Sequence, residues 1–286
     1  MDNTRGSIFM VLAMAAFAIE DMLIKAAAST VAIGLILALF GLGGMLIFIL
    51  LTWKRGEVVL HPAISSRPVL MRAGCEVIAR LTFALAITLT ALSSASAILQ
   101  ATPLIAIIGA AFFFGERVGL KRWLAVSVGF VGVLMIIRPG LDSFEATSLF
   151  AVIATLGFAG RDLATRAAPM VLSNMQLGVY GFFVLIPTGL AMLLYSGDPV
   201  HLDWIASTQI AGAILFGVIA YYALTIAMRT GDVSVVSPFR YTRLLFALII
   251  GVSVFGENPD VMTLLGSLLI VLSGGYTLIQ SRSTHT

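Results

Sequence analysis

Charged residues are scarce in this chain, and their scarcity excludes an ordinary water-soluble fold. Asp, Glu, Lys and Arg make up 11% of the 286 residues, whereas soluble domains contain about 25%. Hydrophobic residues make up 59%, and the mean hydropathy is +1.05. No long polar stretch interrupts the apolar sequence. We therefore expect an integral membrane protein that lies almost entirely within the bilayer.

Cysteine, histidine and catalytic motifs are also rare or missing. The single cysteine, Cys75, lies in an apolar run and is interpreted as a small buried hydrophobic residue. The three histidines fall in predicted loops or the tail, and the sequence contains no G-x-x-x-x-G-K-[ST], H-E-x-x-H or G-x-S-x-G motif. We therefore predict that the protein is not an enzyme and that it binds no metal and no other cofactor.

Apolar segments recur along the whole chain, separated by charges, prolines and glycine clusters. Each of the ten is about 20 residues long, which is the length a helix needs to cross a bilayer. The predicted spans lie near 6–26, 31–52, 68–90, 94–114, 119–138, 146–166, 174–195, 207–228, 235–255 and 262–280. Because the connections are short, any function must be built within an all-α bundle.

The distribution of Lys and Arg predicts how these spans are oriented. With a cytoplasmic N-terminus, the inner loops and tails carry Arg5, Lys54, Arg55, Arg67, Arg117, Lys121, Arg122, Arg166, Arg229 and Arg282. The outer ends then carry only Lys25 and Arg138. Both termini are therefore predicted to face the cytoplasm of a bacterial-type inner membrane. The net charge of +3 is spread over loop ends, which argues against a nucleic-acid partner.

The two halves of the chain are related by one constant offset, which places position 7 on position 148. SLFAVIATLGFAGRDLATRAAP, at 148–169, matches SIFMVLAMAAFAIEDMLIKAAA, at 7–28, at nine of 22 positions, where roughly two matches are expected by chance. With the same offset, FGE at 114–116 falls on FGE at 255–257. We therefore divide the chain into repeats 1–141 and 142–286. Since each contains five spans, the second is predicted to be inverted in the membrane.

Several features of the repeats together resemble a known superfamily. Pro103 lies in the fourth span and Pro238 near the start of the ninth, a Gly-Glu pair closes each of these spans, and both final spans contain glycines. This pattern is similar to the drug/metabolite transporter (DMT) superfamily, and within it to the EamA-type exporters, which include bacterial amino-acid exporters. The resemblance implies a ten-helix basket lined by spans 1, 3, 4, 6, 8 and 9. It also implies a monomer, or a homodimer through spans 5 and 10.

Ionisable residues within the spans independently indicate which spans face the interior. A charged group inside a span costs about 2.5–3.5 kcal/mol unless it faces a partner or water. Such groups occur in spans 1, 3, 6 and 9, and spans 4 and 8 add other polar residues. The predicted substrate pathway consists of Glu20, Glu76, Arg80, Gln100, Arg161, Tyr221, Arg240, Tyr241 and Arg243.

Span 3 carries its three charges on one helical face. Arg72, Glu76 and Arg80 follow i, i+4, i+8 spacing. Arg72 lies near the inner end and is predicted to extend to the headgroups. Arg80 lies near mid-bilayer, level with its repeat counterpart Tyr221, and has two interpretations: a wall of the binding site, or a structural partner of Glu76 or Asp162.

Span 9 carries two guanidinium groups, Arg240 and Arg243, in its inner half. A guanidinium is suited to bidentate contact with a carboxylate. The sequence leaves three sources open for that carboxylate: Asp162, Glu20 or the substrate.

Two i, i+4 pairs recur at equivalent positions of the repeats. Asp21 is followed by Lys25, and Asp162 by Arg166. Because the repeats are predicted to be inverted, the pairs would lie at opposite ends of the pathway. They are interpreted either as gate or coupling residues, or as local pairs that lower the insertion cost.

The Gly-Glu pairs and the prolines of the spans are interpreted as structural residues. The Gly-Glu pairs at 115–116 and 256–257 are predicted to be a helix C-cap followed by an acid at the next helix N-terminus. Pro103 and Pro187 are predicted to kink their spans.

The most consistent function is secondary transport. We predict export of small polar metabolites, with amino acids as the class the resemblance implies, by alternating access; protons are a candidate coupling ion. Two alternatives remain: a passive channel or facilitator, and a membrane enzyme acting on lipid-linked substrates. An enzyme of that kind would cluster its polar residues at one headgroup level, whereas these residues are spread across the bilayer depth.

Overall fold

The computed structural model describes residues 2–89, 98–137, 149–197, 202–255 and 261–283, and every regular element in these ranges is helical. Twelve α-helices are numbered here in chain order: α1 Asn3–Ala27, α2 Ile33–Lys54, α3 Arg67–Leu89, α4 Thr102–Phe114, α5 Leu120–Ile137, α6 Leu149–Ala167, α7 Asn174–Phe183, α8 Leu185–Ser196, α9 Trp204–Thr230, α10 Val233–Val236, α11 Thr242–Phe255 and α12 Val261–Ser283. Two short 3₁₀ helices, Pro62–Ser65 and Ser237–Tyr241, complete the described elements.

Four segments among the described residues have the length and apolar composition needed to cross a membrane. They are Asn3–Ile24, Ile33–Lys54, Asn174–Ser196 and Trp204–Thr230, and shorter apolar helices occur at Thr102–Phe114 and Leu264–Tyr276. The helices overlap the ten segments selected by hydropathy. The all-helical prediction is confirmed for the described residues, whereas the count of ten spans and the inversion of the second repeat stay predictions.

The packing of the helices is symmetric with respect to the sequence repeat. The largest interfaces are those of α1 with α9 and of α3 with α6. The repeat offset converts α1 into α6 and α3 into α9, so these two interfaces are equivalent. The other large interfaces, α5 with α12 and α2 with α7 and α8, each join a helix to its own repeat counterpart.

Glycines allow α2 and α8 to approach at backbone distance. A Cβ atom at Gly34 would lie 2.6 Å from the backbone N of Leu193, and one at Gly189 would lie 2.4 Å from the backbone N of Ala38. No side chain fits at such distances. Small residues serve the same purpose in many membrane helix pairs, where packing replaces the hydrophobic effect.

Proline interrupts the predicted seventh span as expected. The segment breaks at Val184 between α7 and α8. Pro187 lies four residues after Phe183, whose carbonyl its ring prevents from accepting a helical hydrogen bond. The helix is thus interrupted next to Pro187, at the place where the kink is predicted. Pro103 occupies the first turn of α4, and a turn at 100–101 separates this helix from the helical residues 98–99, so the predicted fourth span is also interrupted next to its proline.

The predicted ninth span is not one helix but three consecutive pieces. The short helix α10 is followed by the 3₁₀ helix Ser237–Tyr241 and then by α11. Pro238 lies at the start of the 3₁₀ segment, where its missing N–H is tolerated. Arg240 is therefore in the 3₁₀ segment and Arg243 is in α11, so the two guanidinium groups do not lie on one continuous helix.

Candidate functional site

Five side chains form a chain of alternating charge through the middle of the bundle. Arg80 Nε lies 3.2 Å from Glu76 Oε1, and Arg161 Nη1 lies 3.4 Å from Glu76 Oε2. Arg161 Nη2 then lies 2.8 Å from Asp162 Oδ1, and Arg240 Nη1 lies 2.5 Å from Asp162 Oδ2. The chain joins α3 of the first repeat to α6 and the 3₁₀ segment of the second.

This charge chain is buried and carries one excess positive charge. Glu76, Arg161 and Asp162 are at most 4% exposed, so each depends on its ion pairs to offset a desolvation cost of several kcal/mol. Three guanidinium groups share two carboxylates. A negatively charged group placed at either end of the chain would balance it.

An ion pair outside the charge chain lies nearer the surface and joins α1 to α11. Arg243 Nε donates to Asp21 Oδ2 at 2.8 Å, and Nη2 contacts the same oxygen. The guanidinium of Arg243 also stacks over Phe17, 5.1 Å from the ring centroid. The Asp21 side chain is 52% exposed, so solvent weakens this pair relative to the buried chain.

Arg72 does not extend to the headgroups, and that prediction is wrong. Its side chain is buried and donates three hydrogen bonds: Nε to Thr165 Oγ1 at 2.9 Å, Nη1 to the carbonyl of Leu177 at 3.0 Å, and Nη2 to the hydroxyl of Tyr221 at 2.7 Å. These acceptors belong to α6, α7 and α9. Three neutral oxygens in the interior satisfy all three nitrogens, so the cation need not reach water.

Glu20 is buried next to the same region, and none of the residues that the structure describes donates a hydrogen bond to it. The residue is 1% exposed, and its Oε2 atom is buried and unpaired among the described residues. It faces Gly217 of α9, where a Cβ atom would lie 3.4 Å from Oε2 and 2.4 Å from Cζ of Phe40.

The predicted local pairs do not both form. Asp162 contacts Arg161 and Arg240, while Arg166 Nη1 donates to the carbonyl of Arg229 at 3.2 Å. The interpretation of Asp162 and Arg166 as a local pair is wrong, because two other guanidinium groups bind the carboxylate; the interpretation of these residues as a gate or coupling pair stays a prediction. The side chain of Lys25 lies outside the described part, so its pairing with Asp21 stays a prediction.

The other residues predicted to line the pathway form no ion pair with the charge chain. Tyr241 is buried against Val133 of α5 and Ile270 of α12. Gln100 is half-buried in the turn before α4. Of the nine predicted pathway residues, the ion pairs of the buried chain join four, whereas the bonds of Arg243 and Tyr221 go to other partners.

Glu116 links the two repeats at the predicted cytoplasmic end. Its two carboxylate oxygens each accept a backbone N–H, from Val233 and from Ser234, both at 2.9 Å. Gly115 ends α4 in a left-handed conformation with φ +64°, which confirms its predicted role as a C-cap. The acid, however, caps α10 of the other repeat rather than the next helix. The equivalent pair at 256–257 lies outside the described residues.

A family model matches both halves of the chain separately. The EamA-like transporter family model matches residues 4–138 and again residues 146–278. The chain belongs to the EamA-like transporter family. Two matches of one family model also agree with the internal repeat found in the sequence.

Individual relatives of this EamA-like chain differ in substrate and in direction. It is 31% identical over 182 residues to a riboflavin transporter of Vibrio cholerae and 26% identical over 190 residues to an S-adenosylmethionine uptake transporter of Rickettsia conorii. These matches cover 62% and 65% of this chain, but only 59% and 62% of the two relatives. A pseudopaline exporter of Pseudomonas aeruginosa is 26% identical over 275 residues, 94% of each chain.

A solved structure shows the same fold at full length. One crystal structure aligns over 99% of both chains with a TM-score of 0.83 and 17% sequence identity. At that identity the likeness concerns the fold alone.

Proposed function

We propose that this EamA-like protein is a secondary transporter of the bacterial inner membrane that exports small polar metabolites bearing a carboxylate, with amino acids as the leading class. It would work by alternating access between two inverted five-span repeats, with both termini in the cytoplasm. The observation that carries the proposal is the buried charge chain, in which three guanidinium groups share two carboxylates between the repeats.

The excess positive charge supports a negatively charged group on the substrate. Arg80 contacts Glu76 through Nε, and its terminal Nη1 and Nη2 atoms donate no hydrogen bond to any described residue. Its side chain is also 18% exposed, which is the largest exposed fraction among the five residues of the charge chain. A carboxylate suits this end because a guanidinium offers paired donors in matching geometry.

The symmetry of the helix contacts supports the proposed mechanism. The α1–α9 and α3–α6 interfaces are equivalent under the repeat, as expected where two inverted halves exchange roles in opening to each side. Export is supported by the pseudopaline exporter, because this relative aligns over 94% of both chains, whereas the matched segments of the uptake transporters are shorter.

The experiment is counterflow in proteoliposomes containing the purified protein. A panel of radiolabelled amino acids is tested beside riboflavin and S-adenosylmethionine, with the last two representing the substrates of the relatives. We expect saturable counterflow of at least one amino acid. In inside-out vesicles, which represent the export direction, we expect accumulation.

An Arg80→Gln variant tests the role of the charge chain. Losing one charged hydrogen bond costs about 1.5–3 kcal/mol, so the half-saturating concentration should rise roughly tenfold to a hundredfold. Non-saturable flux would favour a channel instead. Saturable transport of riboflavin or S-adenosylmethionine with no amino-acid transport would disprove the proposed substrate class.

A further inference from the structure

Four carboxylates lie within the predicted spans, and the structure separates one of them from the others. Asp21 contacts Arg243, Glu76 contacts Arg80 and Arg161, and Asp162 contacts Arg161 and Arg240.

Glu20 alone has no guanidinium partner among the described residues, although it is as deeply buried as Glu76 and Asp162. An ionised carboxylate in that position would lack the compensation that the other three acids have.

The sequence repeat explains why Glu20 has no counter-charge. Its repeat counterpart is Arg161, which Glu76 neutralises across the α3–α6 interface. The counterpart of Glu76 is Gly217, on α9. In the equivalent α1–α9 interface the charged residue is kept with its sign reversed, but the partner has been replaced by a glycine without a side chain.

Two apolar residues, Gly217 of α9 and Phe40 of α2, lie close to Glu20. A Cβ atom at Gly217 would lie 3.4 Å from Oε2 of Glu20 and 2.4 Å from Cζ of Phe40, and neither residue donates a hydrogen bond from its side chain. An unpaired carboxylate in such a place costs several kcal/mol, and a carboxyl group avoids most of that cost by binding a proton.

Charges of both signs lie around this position. The charged side chains that act on Glu20 come from α1, α3 and α11: Arg80, Asp21, Arg243 and Glu76. Two are positive and two are negative, and each is already held in an ion pair. The packed helices α2 and α9 carry basic residues only at their C-terminal ends. Helix α9 adds Tyr221, which is bonded to Arg72, and Tyr222.

We propose that Glu20 is a proton-binding site of this transporter. Its carboxyl is neutral in the conformation described, where it is sealed from water, and it releases the proton when the two repeats move apart and water enters the α1–α9 interface. The carboxyl O–H bond breaks, and the proton passes to water on the side that has opened. Release through movement rests on the proposed transport function, whereas proton binding itself does not.

Infrared spectroscopy of the purified protein in lipid tests proton binding without any transport substrate. We expect an absorption band of a protonated carboxyl at neutral pH in the wild-type protein. The band should be lost in Glu20→Gln and kept in Asp21→Asn, which removes the adjacent carboxylate as a matched control. The Gln side chain has nearly the shape of a neutral Glu, so the melting temperature of Glu20→Gln at neutral pH should match that of the wild type.

A second measurement uses the wild-type protein in liposomes. With the membrane potential clamped at zero, exchange of one proton per substrate molecule predicts that a pH difference of about one unit sustains about tenfold accumulation of the transported amino acid. Wild-type flux that does not respond to a pH gradient would overturn coupling through Glu20.

The outcomes distinguish this inference from the proposed function. A Glu20-dependent band without transport of any amino acid supports the proton site and refutes the substrate class. A spectrum that is unchanged in Glu20→Gln refutes the proton site, whatever the protein transports. A Glu20→Gln variant that fails to fold also contradicts the proposal, because a neutral carboxyl should tolerate its amide.

Discussion

The hydroxyl of Tyr221 provides a test of how strongly Arg72 holds four helices together. Arg72 Nη2 donates to this hydroxyl at 2.7 Å, and the guanidinium lies 5.2 Å from the centroid of the same ring. The substitution Tyr221→Phe removes the hydroxyl and keeps the ring, so it isolates the hydrogen bond from the cation–π contact. A Cβ atom at Gly181 would lie only 1.8 Å from the hydroxyl oxygen.

The expected loss of unfolding free energy follows from the charge of the Arg72 donor and from the tight packing around the hydroxyl. Hydrogen bonds between membrane helices contribute about 0.6 kcal/mol on average, but the donor here is a buried cation, for which values of about 1.5–3 kcal/mol are typical. The space that the hydroxyl leaves is roughly one atom in size and too small for a replacement water. We therefore expect Tyr221→Phe to lower the free energy of unfolding by about 1–2 kcal/mol.

The assay is reversible unfolding of the purified protein in mixed micelles by SDS titration. Tyr222→Phe is the matched control, since this neighbouring hydroxyl makes no hydrogen bond with any residue that the structure describes, and we expect a change below about 0.5 kcal/mol. If both variants lost the same small free energy, Arg72 would not be anchored by Tyr221. The same result would contradict the burial argument made for this cation.

Three further predictions concern other contacts, two of them with a matched control substitution. Glu116→Ala removes both acceptors at the N-terminus of α10 and should cost about 1–2 kcal/mol of unfolding free energy; an unchanged value would show that this cap is dispensable. Gly189→Ala should prevent a stable fold, because its Cβ would lie 2.4 Å from the backbone of α2, whereas Gly275→Ala, with nothing within 4 Å, should be neutral or slightly stabilising in size-exclusion and melting assays. Asp162→Asn should cost about 3–5 kcal/mol in SDS titration and the more exposed Asp21→Asn less than about 1 kcal/mol; equal losses would refute the assigned difference in burial.

Apolar length and the internal repeat predicted most of the helical framework. The hydrophobic segments coincide with helices because a bilayer requires long runs with satisfied backbone groups. The ninth segment was the main error. Pro238 marks its break, yet hydropathy averaged over a window does not register a change from α-helix to 3₁₀ helix.

The partners of the charged side chains were harder to predict. Local spacing suggested Arg166 as the partner of Asp162, but the structure pairs this carboxylate with Arg161 and Arg240. For Arg240, Asp162 was one of three carboxylates that the sequence left open. Depth along a helix suggested that Arg72 reaches the headgroups, although its acceptors come from three helices of the other repeat. Spacing along one helix lists local candidates only, and the contacts between helices decide among them.

The origin of Arg240 and Arg243 has a consequence for the energies of the transport cycle. Both guanidinium groups come from the second repeat, and they bind Asp162 and Asp21, which are equivalent under the duplication. The corresponding positions of the first repeat are Leu99 and Thr102, which cannot form ion pairs. In the proposed inverted-repeat cycle, the conformation in which the two repeats have exchanged roles therefore cannot form the ion pairs of Asp162 with Arg240 and of Asp21 with Arg243. For such a cycle we expect the two resting orientations of the empty carrier to differ in free energy, so that an unloaded population would accumulate facing one side of the membrane.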